Sequence, residues 1–116
     1  RGGSVGVPSV GQVVLVPFPF SDLSRTKMRP AVVLADAGRD DWILCQVTSN
    51  PYGDEKAIVL SEKDFQSGAL RVTSYARPGK LFTANASLIV ESVGELKKST
   101  IKKMVESVVT ILNAGI

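Results

Sequence analysis

Gln12-Val-Val-Leu-Val-Pro-Phe18 and Pro30-Ala-Val-Val-Leu-Ala35 are two apolar, β-branched runs on either side of the polar segment Ser21-Asp-Leu-Ser-Arg-Thr-Lys-Met28. Runs of this length and composition read as strands joined by a loop. Pro17 and Pro19 cannot donate to a ladder, so they end the first strand or hold it at a sheet edge. The residue before a proline avoids the helical region, so Arg29 restarts extended chain before a buried second strand.

Further strands follow from the same signals. Asp36 to Asp41, with Gly38, reads as a hairpin-type turn. Trp42 to Thr48 is a third strand, Ser49-Asn-Pro-Tyr-Gly53 a turn cluster and Lys56 to Leu60 a short fourth strand. Ser61 reads as the N-cap of a short helix, with Asp64 three residues on and Leu60 and Phe65 as its staple. Gly68 is expected to stop that helix. Val72 to Ala76 and Leu81 to Thr83 read as extended chain around a Pro78-Gly79 turn. Leu88-Ile-Val90 is one more extended piece before a turn at Gly94.

The last segment has a different period. Ile101, Met104, Val105, Val108, Ile111 and Leu112 form one apolar stripe on a helix from about Thr100 to Asn113. Ser99 or Thr100 is expected to cap it, and Gly115 lies past its end. Several short strands with a closing helix define a mainly β fold. Such a sheet hides its edges by curling into a partly closed barrel with the helix packed on it. The 116 residues fit one domain, read as 10–116, after a flexible leader over 1–9.

Composition narrows the chemistry. Fourteen Lys+Arg against 11 Asp+Glu give a net charge of +3, too mild to prove a nucleic-acid partner. There is no histidine, which removes the commonest general acid/base and the commonest metal ligand. With one cysteine and no histidine, a structural zinc site is excluded. A carboxylate-held Mg²⁺ has no motif behind it, so no metal or cofactor is expected. Cys45 reads as a core filler. No apolar run approaches the roughly 18 residues that span a bilayer, so no membrane association is expected, and a cytoplasmic location is the simplest reading.

Two polar clusters remain. The loop from Ser21 to Arg29 carries three cations and three hydroxyls. Its bland reading is a solvated connector. Arg29 differs, because Pro30 and a buried strand restrain it, and its planar fork fits a phosphate. Thr48-Ser49-Asn50 are ordinary strand-end residues that also bring two hydroxyls and an amide to a sheet edge. Lys97, Lys98, Lys102 and Lys103 read as a solvated face near the start of the last helix.

In order, these pieces carry a resemblance. Gly11-Gln-Val-Val-Leu-Val-Pro-Phe-Pro-Phe20, Ser21-Asp-Leu-Ser24, Lys27-Met-Arg-Pro-Ala-Val-Val-Leu34 and Cys45-Gln-Val-Thr-Ser49 resemble the MazF/PemK family of toxin endoribonucleases. Later pieces agree: Val59-Leu60, Gly68-Ala-Leu-Arg71, Ser74-Tyr-Ala-Arg77, Lys80-Leu-Phe-Thr83 and Val93-Gly-Glu-Leu96. The resemblance spans about Val10 to Leu112.

It implies a small SH3-like, plasmid-toxin (CcdB/PemK-like) barrel with a C-terminal helix. It also implies a homodimer and an mRNA interferase that cuts single-stranded RNA at short sequences without metal. A cognate antitoxin would hold the toxin inactive by laying an extended tail in the RNA groove. Arg29 matches the family's catalytic arginine and Thr48 its catalytic threonine. Ser24 matches a substrate-contacting loop serine. Arg25, Lys27, Ser49, Asn50 and Arg77 are the further candidates for RNA contact. Arg25-Thr-Lys27 stand where the family often has Gly, Ser and Glu, which leaves Asp22 as the loop's one carboxylate and the general base unassigned.

Tyr52 and Phe20 are candidate base-stacking platforms, with core packing as their ordinary reading. Two other functions fit the same barrel. One is a CcdB-like gyrase poison, which acts through C-terminal residues and would draw on Gly115-Ile116. The other is a binding module without chemistry.

Overall fold

The computed structural model describes residues 6–19 and 26–116. Among them are seven strands and one α-helix: β1 (Gln12–Pro19), β2 (Thr26–Gly38), β3 (Asp41–Thr48), β4 (Ile58–Leu60), β5 (Phe65–Gly68), β6 (Ser74–Asn85), β7 (Glu91–Leu96) and α1 (Lys98–Asn113). The strands form one sheet in the order β4-β6-β3-β2-β1-β7-β5. Every neighbouring pair is antiparallel. The two edge strands, β4 and β5, are separated in sequence only by Ser61 and the 3₁₀ turn Glu62–Asp64. So short a connection brings the edges together, and the sheet curls into a near-barrel.

Period-two alternation sends apolar side chains to both faces. Val13, Val32, Cys45, Val47 and Ala76 belong to one buried cluster, completed by Leu60, Phe65, Leu96 and Met104 of α1. Val14, Val16, Ala31, Val33, Leu44 and Ala84 belong to a second. There Phe18 and Phe82 meet edge to face, with ring centroids 4.9 Å apart. Cys45 is a core filler as expected: it is buried, and desolvation pushes its thiol up to about 12.

Pro17 and Pro19 sit where β1 has lost one neighbour. β7 pairs with β1 only as far as Leu15, whose carbonyl accepts from Val90 N–H. Residues two and four further on point the same way, so the missing proline N–H groups face away from β2.

Several expected boundaries shift. Thr26 to Met28 belong to β2, not to a loop, because Lys27 and Met28 pair with Phe18 and Pro17. The first hairpin turn is only Arg39-Asp40, both with positive φ (57° and 65°), and Gly38 pairs with Asp41. Pro78-Gly79 makes no turn. β6 runs straight through it, with Arg77 to Lys80 bulged opposite Gln46 and Pro78 fully buried.

Gly68 ends no helix. It lies in β5 with φ +71, pairs with Gly94, and has no room for a Cβ against the Val93 carbonyl. Gly94 likewise lies within β7 instead of marking a turn, and Leu88 closes a 3₁₀ turn, Ala86–Leu88.

α1 takes Lys97 as its N-cap, without a side-chain cap. Neither Ser99 nor Thr100 serves, because Thr100 is inside the helix and its hydroxyl is used elsewhere. It donates to Asp64 Oδ1 at 2.9 Å. The buried stripe is narrower than expected: Met104 is buried and Ile101, Val108 and Ile111 half-buried, whereas Val105 and Leu112 are exposed. No helix among the described residues is long and apolar enough to cross a membrane.

Candidate functional site

β2 and β3 are sheet neighbours, with Ala31 opposite Gln46 and Val32 opposite Cys45. Arg29 and Thr48 stand two residues beyond the last of these pairs on their strands. The ladder stops at Ala31 because Pro30 has no N–H to give. Beyond it the strands open into a cleft of about 400 Å³ that both Arg29 and Thr48 line. Lys27, Ser49 and Arg71 add charge and a hydroxyl, while Leu15, Leu70, Val72 and Val93 supply apolar wall. The cleft thus holds three cations, and none of the described lining residues is a carboxylate.

Thr48 is held by a local turn. Its hydroxyl donates to Asn50 O and accepts from Asn50 N–H, both at 3.1 Å. Asn50 Oδ1 in turn accepts from Tyr52 N–H at 3.0 Å. Such side-chain-to-backbone bonds fix strand-end residues. A hydroxyl has one donor and two acceptor positions. Thr48 therefore keeps one lone pair for a substrate and has its proton committed.

The remaining candidates divide. Lys27 and Ser49 line the cleft with Arg29 and Thr48. Asn50 is exposed and acts on Thr48. Arg77 is outside the cleft lining: its Nε donates to Asp54 Oδ2 at 2.8 Å. The Arg77 guanidinium, then Lys56 N–H, hold the Asp54 carboxyl below the usual carboxylate range. Ser24, Arg25, Phe20 and Asp22 lie outside the described residues. Core packing does not apply to Tyr52, which is 78% exposed with φ 53. Lys97, Lys98, Lys102 and Lys103 are exposed, as a solvated face requires.

Arg71 is the cation that strand-by-strand reading misses. It sits on the β5–β6 connection and reaches the cleft only because the sheet curls. The signal available was its presence in Gly68-Ala-Leu-Arg71. No group of three or more His, Cys, Asp or Glu that could hold a metal comes together among the described residues.

Fold and cleft together define a small β near-barrel with a cation-lined groove where β2 and β3 part. The model of the PemK-like, MazF-like toxins of type II toxin–antitoxin systems matches residues 9–112, and the chain belongs to that family. Comparison with curated protein sequences found no match.

Solved structures share the fold. A MazE–MazF complex from Deinococcus radiodurans superposes with a TM-score of 0.76 at 20% identity, covering 95% of this chain and 99% of the other. MazF alone from that organism gives 0.71 at 21% identity, covering 97% and 100%. An endoribonuclease in complex with its cognate antitoxin, from a mycobacterial species, gives 0.69 at 18% identity, covering 92% and 96%.

Proposed function

We propose that this chain is the toxin of a type II toxin–antitoxin pair and cuts single-stranded RNA by transesterification without a metal. The observation that carries the reading is that Arg29 and Thr48 line one cation-lined cleft.

RNA contains its own nucleophile. The 2′-oxygen bonds to the adjacent phosphorus and the bond from phosphorus to O5′ breaks. One proton leaves the 2′-hydroxyl and another reaches O5′. The products are a 2′,3′-cyclic phosphate and a 5′-hydroxyl. Thr48 is suited to the first half of this: its remaining lone pair accepts from the 2′-OH and aims it. Arg29 is suited to the second, because its fork places two parallel donors on the charge that develops on the phosphorane. Lys27 and Ser49 hold the strand on either side, and Ser24 and Arg25 extend that grip along the preceding loop. Asn50 keeps Thr48 in position, and Arg77 grips RNA beyond the cleft, turned by its bond to Asp54.

The family membership supports an antitoxin partner, a homodimer and a cytoplasmic location for a single domain over 10–116. A cleavage assay on a long transcript, with fragment ends mapped, tests the reading. Cyclic-phosphate and 5′-hydroxyl ends at one recurring short sequence, formed in excess chelator, are expected. An intact transcript would refute it and fit a gyrase poison or a binding module, and activity restored only by Mg²⁺ would refute the metal-free route.

A further inference from the structure

Cutting RNA requires a proton at O5′, because a bare alkoxide leaves phosphorus poorly. Lys27, Arg29 and Arg71 are the titratable groups among the described residues that line the cleft. A guanidinium does not give up a proton in a protein, whereas an ammonium can serve as a general acid. The Thr48 and Ser49 hydroxyls are weak acids, and the Thr48 proton is already donated to Asn50 O. The sequence holds no histidine, and its one thiol is buried in the core. Within this lining, Lys27 is thus the side chain equipped to hand over a proton.

Its place suits that task. Lys27 pairs with Phe18 and Arg29 with Val16, so both side chains start from laddered backbone. They lie two residues apart on β2 and point to the same face, with Cα atoms about 7 Å apart. The flexible four-carbon stem of Lys27 can therefore lay its ammonium beside a phosphate held by Arg29. Arg29 is half-buried and Lys27 exposed, so water reaches the lysine and can restore its proton.

We infer that Lys27 is the general acid of the cut. As the 2′-oxygen bonds to phosphorus, the bond from phosphorus to O5′ breaks and its electron pair stays on O5′. Lys27 Nζ gives O5′ a proton. The 2′-hydroxyl proton passes to water, and the neutral amine takes a proton back from water, so the protein ends the cycle unchanged. Thr48 from β3 and Lys27 from β2 then serve the two ends of one displacement, with Arg29 on the charge between them. The inference rests on the RNA-cutting reading and adds to it the source of the leaving-group proton.

The test compares two short oligoribonucleotides that carry the mapped cut site, one natural and one with sulfur in place of O5′ at the cut. A thiolate leaves without a proton, so the second substrate has no use for an acid. In the full chain, Lys27→Met should lower kcat on the natural substrate by about 10²–10⁴-fold. Its rate on the sulfur substrate should stay close to wild type, which also shows that the variant is folded. Lys27→Arg keeps the charge but has no proton to give. It should show the same split between substrates, with KM near the wild-type value.

Equal losses on the two substrates would make Lys27 a grip alone and overturn the assignment. So would wild-type turnover of the natural substrate by Lys27→Arg, or a wild-type chain that cuts only the sulfur substrate. A wild-type chain that cuts neither would refute the ribonuclease reading, and the inference with it.

Discussion

Thr100 and Asp64 join the closing helix to the rim of the barrel: the Thr100 hydroxyl donates to Asp64 Oδ1 at 2.9 Å, and both residues are buried. The same carboxylate accepts from the N–H and hydroxyl of Ser61, and Lys97 N–H donates to the Asp64 carbonyl. Burial alone would raise the Asp64 pKa. The Ser61 N–H, the Thr100 and Ser61 hydroxyls and the charge of Lys103 outweigh it, and the carboxyl is held below its ordinary value.

Thr100→Val should therefore cost about 1–3 kcal/mol at neutral pH, because it strips a donor from a buried carboxylate. A depressed folded-state pKa adds stability above the unfolded value, about 4, and loses it as pH falls through the folded one. The gap between wild type and Thr100→Val should thus narrow as pH drops below about 4. Denaturant melts across that range check this; a gap that stays constant would contradict the assignment.

Arg29→Lys keeps a positive charge but loses the paired donors. Its kcat should fall by about 10²–10³ with the melting temperature little changed. Single-turnover cleavage measures it, and wild-type turnover by Arg29→Lys would show that charge alone suffices.

Thr48→Ser keeps the hydroxyl and its bonds to Asn50, whereas Thr48→Val keeps neither. The serine variant should retain most activity, and the valine variant should lose at least about 10²-fold, the cost of misplacing the reacting hydroxyl. Equal rates in the two would remove Thr48 from the chemistry.

Gly68 and Gly94 face each other across β5 and β7 so closely that a Cβ on Gly68 would strike the Val93 carbonyl and the Gly94 Cα. Backbone cannot step aside as a side-chain tip can, and φ +71 adds strain of its own. Gly68→Ala should destabilise by at least about 2 kcal/mol. A variant as stable as wild type would mean that the strands separate easily.

This pair also explains which parts of the fold were legible from sequence. β1, β3 and α1 announce themselves through apolar runs or a helical period. β5 and β7, Phe65-Gln-Ser-Gly68 and Glu91-Ser-Val-Gly-Glu-Leu96, are polar and glycine-bearing. Their pairing depends on backbone approach at Gly68 and Gly94, which no hydropathy pattern records. The site divides in the same way. Arg29, Lys27, Thr48 and Ser49 stand at strand ends, and the strands reveal them. Arg71 arrives through closure of the sheet, a contact between distant segments.

Asp40 occupies a left-handed position in the β2–β3 turn, where an L-residue costs about 1–2 kcal/mol. Asp40→Gly should raise stability by about 1 kcal/mol, since the bond from Ala86 N–H to the residue 40 carbonyl is a backbone contact and survives. Urea titration should show the midpoint rising; an unchanged midpoint would mean that the aspartate is unstrained there.

The Cys45 thiol, sealed in the core and pushed up to about 12, gives the molecule a built-in clock. As the only cysteine of this sequence, it is screened from oxidants and alkylating agents while the barrel is closed. Modification must wait for the barrel to open. The rate at which a thiol reagent labels the native protein therefore counts opening events one molecule at a time, and ligands that close the barrel should slow the count.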